Sequence, residues 1–172
     1  MPTYANIDPA STPTGVPSAV LPTESVISKT VTPTTSGANY ASGDVVGGIQ
    51  SITTVNYASG RRVALKSVQI NDKNGNAIAM DIYFFKATPS GGTYTDNAAL
   101  AWGTGDSANK VGQLAVAAAD WLTDNSQSSV NYSNMDMKLL ISSTTLFMLI
   151  IPKAAATFTN GNLTMQLEFN QE

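Results

Sequence analysis

Cysteine and histidine are both absent from the 172-residue chain. Without cysteine there is no disulfide framework and no thiolate chemistry. Without histidine the commonest general base and the commonest transition-metal ligand are missing together. A serine nucleophile would lack its usual partner, and no motif supports a serine–lysine pair. Charge is scarce too: Asp, Glu, Lys and Arg make up 12% of the chain, about half the usual share. A net charge of −3 without clustered basic residues argues against nucleic acid as a partner. Arg61-Arg62 is the one adjacent basic pair, and it reads as a solvated strand end rather than a phosphate site. No apolar run is long enough to cross a bilayer as a helix, so no membrane partner is expected. The longest run, Leu146 to Ile151, fits a central strand with apolar residues on both faces. The N-terminal stretch has no basic region followed by an apolar run and is not read as a signal peptide.

Ser, Thr, Asn and Gly supply the remaining polarity, mixed with Val and Ile. That mixture suits an all-β protein with many turns. The clearest stretch runs from Arg62 to Lys86. Val63, Leu65, Val68 and Ile70 mark one strand; Ile78, Met80, Ile82 and Phe84 alternate along a second. Between them lies Asn71-Asp72-Lys73-Asn74-Gly75-Asn76, which is turn chemistry. The expectation is a hairpin with a three-residue Lys73-Asn74-Gly75 loop pairing Ile70 with Ile78 and Val68 with Met80. The apolar phase slips between Leu65 and Val68. A bulge at Lys66-Ser67 restores it and sets Leu65 opposite Ile82 and Val63 opposite Phe84.

Residues 1–43 differ from the rest. Pro2, Pro9, Pro13, Pro17, Pro22 and Pro33 fall here, and only Asp8, Glu24 and Lys29 carry side-chain charge. Prolines at this density forbid helix and any central strand, so an extended, polyproline-like arm is expected. Fully extended, it reaches roughly 130 Å, far enough to touch more than one neighbouring subunit. Glu24 to Thr32 is the part able to add an edge strand. Residues 44–172 form the folded domain. Strands are expected at Val45-Val46, Ile49 to Val55, Thr93 to Trp102, Val111 to Ala118, Asp136 to Ile141 and Thr145 to Ile151. Ala117 to Leu122 suggests one helical turn, and Asp124 to Ser129 a polar loop. Asn160-Gly161 signals a hairpin between Ala155–Phe158 and Leu163–Phe169. The motif Asn39-Tyr40-Ala41-Ser42-Gly43 recurs at 56–60, too few copies for a solenoid. About eight strands with regular turns indicate an all-β fold: an antiparallel β-sandwich of jelly-roll type carrying the proline-rich N-terminal arm.

Candidate sites are few. Asp72 to Asn76 resembles part of a calcium loop but lacks the terminal Glu and the flanking helices. Asp120, Asp124 and Asn125 offer hard oxygen ligands without a defining spacing. Asp96, Asp106, Asp120 and Asp136 are available for paired-carboxylate chemistry, though nothing in the sequence pairs them. Trp102, Trp121 and Tyr94 are the aromatics able to build a sugar-stacking platform; core or interface packing is the ordinary role for such residues. The reading is therefore no catalytic, cofactor-binding or metal residues, and no cofactor.

Tyr40-Ala41-Ser42-Gly43-Asp44-Val45-Val46-Gly47-Gly48, then Leu65 to Asn71, then Ile82-Tyr83-Phe84-Phe85-Lys86, then Thr95-Asp96-Asn97-Ala98-Ala99 resemble, in order and spacing, capsid decoration (cement) and head-auxiliary proteins of tailed bacteriophages. The resemblance covers roughly residues 40 to 100. It implies a non-enzymatic virion structural protein on the capsid exterior, often trimeric, that stabilises the shell by bridging major capsid proteins. The alternative is a phage head- or tail-fibre module binding host surface glycans, which co-planar, exposed Trp102 and Trp121 would favour. A second alternative, a small hydrolase, needs converging carboxylates in a deep pocket. Self-association has a separate motive: Leu146 to Ile151 puts apolar residues on the outer face of its sheet, and either the same chain or a neighbour must cover them.

Overall fold

The computed structural model describes residues 26–56, 62–141 and 143–171. The strands run in order as β1 (Val26–Val31), β2 (Asn39–Tyr40), β3 (Gln50–Ile52), β4 (Arg62–Asp72), β5 (Met80–Phe85), β6 (Lys110–Val116), β7 (Leu122–Asp124), β8 (Gln127–Tyr132), β9 (Met137–Leu140), β10 (Leu146–Pro152), β11 (Ala156–Thr157) and β12 (Leu163–Gln171). One sheet has the order β1-β12-β4-β8-β7, with β9 continuing the β8 position along β4; the other is β3-β10-β5-β6. Every pairing is antiparallel. With β8 and β9 counted as one interrupted strand, and the short β2, β7 and β11 set aside, eight principal strands remain. Numbered along the chain, they lie first-eighth-third-sixth in one sheet and second-seventh-fourth-fifth in the other. This is a jelly roll.

The Arg62–Lys86 stretch does contain two strands, but they do not form a hairpin. β4 pairs with β12, β8 and β9, while β5 pairs with β10 and β6 in the opposite sheet. Ile70 faces Met165 and Val130 across the backbone ladders, not Ile78. The turn chemistry is local to Asp72. Its carboxylate accepts the backbone N–H groups of Asn74 at 2.8 Å and Asn76 at 2.9 Å, and the Asn76 amide at 2.7 Å. Gly75 takes φ 68° and Ala77 φ 47°, so the chain turns and then leaves the sheet. The bulge stands where the phase slip puts it. Ser67 pairs with Glu168 and Leu65 with Phe169, leaving Lys66 as the extra residue.

Asn160-Gly161 likewise turns the chain without a paired hairpin: β11 pairs with β2, and β12 with β4 and β1. The polar stretch Asp124 to Ser129 instead hides a tight hairpin. Asp124 pairs with Gln127, and the two intervening residues, Asn125 and Ser126, have φ 44° and 73°, the left-handed pair of a type I′ turn. Thr93 to Trp102 makes isolated bridges, Thr93 to Ala101 and Ala99 to Asp44, instead of a strand. Ala118–Asp120 forms the expected helical turn. Within the span read as arm, Val26–Val31 is the edge strand anticipated between Glu24 and Thr32; residues 1–25 lie outside the described residues.

Apolar alternation builds two cores. Leu163, Met165, Leu167 and Phe169 of β12 point into the space between the sheets, where they meet Met80, Ile82 and Phe84 of β5 and Leu146, Met148 and Ile150 of β10. The other faces of β5 and β10 carry Phe85, Leu149 and Ile151. They do not wait for a neighbour. Val45 and Tyr94 pack over them, joined by the half-buried Ile49 and Leu100. Hydrogen bonds fix this cover: Val45 N–H donates to the Ala98 carbonyl at 2.9 Å, Asn97 N–H to Val45 at 2.8 Å and Leu100 N–H to Gly43 at 3.0 Å. Leu149 is fully buried. The apolar run therefore supplies no motive for association.

Candidate functional site: an aromatic cleft beside Trp102

The segment that covers β5 and β10 ends in a side-chain knot. Asp106 opens a short helix, Asp106–Asn109, and is only 2% exposed. Its carboxylate accepts the Ser90 N–H at 3.0 Å, the Gly103 N–H at 3.0 Å and the Tyr94 hydroxyl. The Tyr94 oxygen in turn accepts the Gly103 N–H at 2.7 Å. Gly103 is required here by close approach: a Cβ would lie 2.0 Å from the Ser90 carbonyl oxygen. The Tyr94 hydroxyl and the two N–H donors hold the Asp106 carboxyl below the usual carboxylate range against the opposing effect of burial. Burial, with Asp106 next to it, pushes the Tyr94 phenol up.

This knot presents Trp102. The indole is 47% exposed. It stands edge-on to Tyr83, with centroids 5.1 Å apart at 86°, and tilts against Phe85 at 6.0 Å and Tyr94 at 6.4 Å. Lys110 Nζ lies 5.3 Å from the Tyr83 ring centre, a cation–π distance. Between Trp102, Phe85, Lys110 and the 103–107 backbone is a cleft of about 410 Å³, lined mainly by apolar surface. Asp106 is its one carboxylate, and it is already bonded to three donors. Thr104, Ser107 and Lys110 supply the cleft's other polar side chains.

The other residues singled out from the sequence do not converge. Asp96 accepts from Tyr40, Gly47 and Ser36. Asp120 accepts from the Tyr132 hydroxyl and the Ala117 N–H. Asp136 pairs with Lys66 at 2.6 Å and lies 3.9 Å from Lys138. Asp124 and Asn125 sit at the β7–β8 turn, and Asp72 caps its own turn. Among the described residues no three acidic groups gather as a metal site. Arg62 is the exposed first residue of β4, and Arg61 lies outside the described residues. Trp121 is 7% exposed in the inter-sheet core and donates its indole N–H to the Ile78 carbonyl at 2.8 Å. It forms no platform with Trp102, which packs on the outer cluster. Trp102 was legible as a candidate aromatic. The Asp106–Tyr94–Gly103 knot that holds it was not, because no spacing rule links those residues.

No protein-family model and no curated protein sequence matches the chain. Two solved structures align with it at low scores. A chain from Desmodium yellow mottle tymovirus shares 14% identity over 99% of this chain and 93% of that one, with a TM-score of 0.26. A chain from the heated full particle of Israeli acute paralysis virus shares 14% identity over 100% and 79%, with a TM-score of 0.34. Both are viral. Scores and identities at this level establish no relationship.

Proposed function

We propose that the protein is a non-enzymatic structural component of a bacteriophage virion, seated on the capsid exterior, where it stabilises the shell by bridging major capsid proteins. The observation that carries the reading is the position of β1. It is the outermost strand of its sheet, so in the chain the proline-rich residues 1–25 lead directly into an edge strand of the jelly roll. Jelly rolls are a common architecture of capsid and lectin domains. A long proline-rich segment that leads into an edge strand is suited by composition to reach across a surface to neighbouring subunits. The resemblance of residues 40 to 100 to decoration proteins points the same way. Dispersed, individually partnered carboxylates favour this reading over a hydrolase. Burial of Trp121 in the core removes the observation on which a two-tryptophan glycan platform would rest.

Particles assembled without the protein test the proposal. Adding the purified chain should give saturable binding to intact shells and raise the temperature at which they break. Shells that take up none of it, or whose stability does not change at saturation, would overturn the bridging role.

A further inference from the structure

We propose that the Trp102 cleft is the docking site for the proline-rich segment of this same chain, residues 9–22, delivered by a second copy. The inference rests on the structural reading above and names the surface through which copies join. The cleft offers an exposed indole, an apolar floor and Lys110 at its rim. The segment offers Pro9, Pro13, Pro17 and Pro22 separated by Ala, Ser, Thr, Gly, Val and Leu, with no charge inside it and Asp8 and Glu24 flanking it. Proline-rich chains favour the polyproline helix and so lose little entropy on docking, and aromatic-lined grooves are their recurrent receptors. Their backbone carbonyls lack neighbouring N–H groups and need outside donors. The Lys110 ammonium and the Trp102 indole N–H are such donors. The flanking acids complement Lys110.

For the segment as a whole, reach favours a second copy. Pro22 stands four residues before Val26, a span of about 12 Å in polyproline geometry. β1 is the outermost strand of one sheet, while Trp102 packs on the outer face of the other, against β5. With sheets about 10 Å apart and the covering layer beyond, the whole segment cannot lie in its own cleft. Residues 1–25 extended cover about 75 Å, against a domain radius of gyration of about 16 Å, so a neighbour's cleft is within range.

The test uses the full-length chain across a concentration series, read by sedimentation and by acrylamide quenching of tryptophan emission. Association is expected to shield Trp102 as it proceeds. Trp102→Ala, Lys110→Glu and the double change Pro13→Ala with Pro17→Ala are each expected to weaken association about tenfold or more. Lys110→Glu and the arm double change leave the packed aromatics in place and so remain informative if Trp102→Ala misfolds. Equal association by wild type and all three variants would overturn the docking site while leaving self-assembly standing. A wild-type monomer at every concentration would overturn it too, and recovery of that monomer on particles would show that the virion role survives without it.

Discussion

The Tyr40 hydroxyl donates to the Asp96 carboxylate at 2.7 Å. The same carboxylate accepts the Gly47 N–H at 2.6 Å and the Ser36 N–H at 2.8 Å. One side chain thus ties the segment after β1, the loop before β3 and the segment covering the outer core. Tyr40 is fully buried and meets Phe158 edge-on at 5.6 Å, so the latch is anchored in the inter-sheet core. Burial alone would raise the Asp96 carboxyl, but the donors outweigh it and hold it below the ordinary value.

A depressed folded-state carboxyl contributes stability that is present above the unfolded-state value, about 4, and is lost as pH falls through the folded value. Asp96→Asn is therefore expected to destabilise the domain by about 1–3 kcal/mol near neutral pH. The gap from wild type should narrow from neutral pH to an acid pH below the depressed folded-state value, where the wild-type carboxyl is protonated as well. Urea unfolding at both pH values checks this; an undiminished gap in acid would contradict it.

Leu149 tests the covered face of β10. It is fully buried beneath Val45 and Tyr94 of its own chain. Leu149→Ala is expected to cost about 2–5 kcal/mol, and Leu149→Asp to abolish folding rather than only assembly. A folded Leu149→Asp variant with weakened association would show instead that a neighbour covers this face.

Periodicity disclosed which residues are buried more reliably than which strands pair. Leu163, Met165, Leu167 and Phe169 alternate because β12 has one face on the core, and that is visible locally. The Lys66 bulge was visible for the same reason, as a slip in phase. The partner of β4 was not. In a jelly roll the third and fourth strands lie in opposite sheets, so β4 takes β12, roughly a hundred residues away, and Asn74-Gly75 marks a crossing instead of a hairpin. The type I′ turn at Asn125-Ser126 was hidden because it lacks the usual glycine and its flanks are polar. The cover over Leu149 comes from loop residues with no period at all. The cleft was legible only through Trp102.

Metal dependence is not expected. Among the described residues no acidic cluster offers a cation several oxygens, and Asp72 already accepts three donors within its turn. Exhaustive dialysis against a chelator should leave the melting temperature unchanged. A drop restored by calcium would contradict this account.

Truncation separates the arm from the sheet. Residues 1–38 include β1, whose Ile27 and Val31 are buried in the core and whose six residues pair with β12. Removing residues 1–38 is expected to destabilise the domain by several kcal/mol through lost apolar burial. Removing residues 1–25 keeps β1 and is expected to leave the melting temperature nearly unchanged while weakening particle binding. Equal thermal stability of the two truncations would contradict the structural role of β1.

Purified virions decide the central claim. Quantitative mass spectrometry of gradient-purified particles, with cryo-electron microscopy of the same sample, should find the chain in many copies on the outside of the head at a fixed ratio to the major capsid protein. Its absence from infectious particles, or its confinement to the tail, would contradict the proposed role.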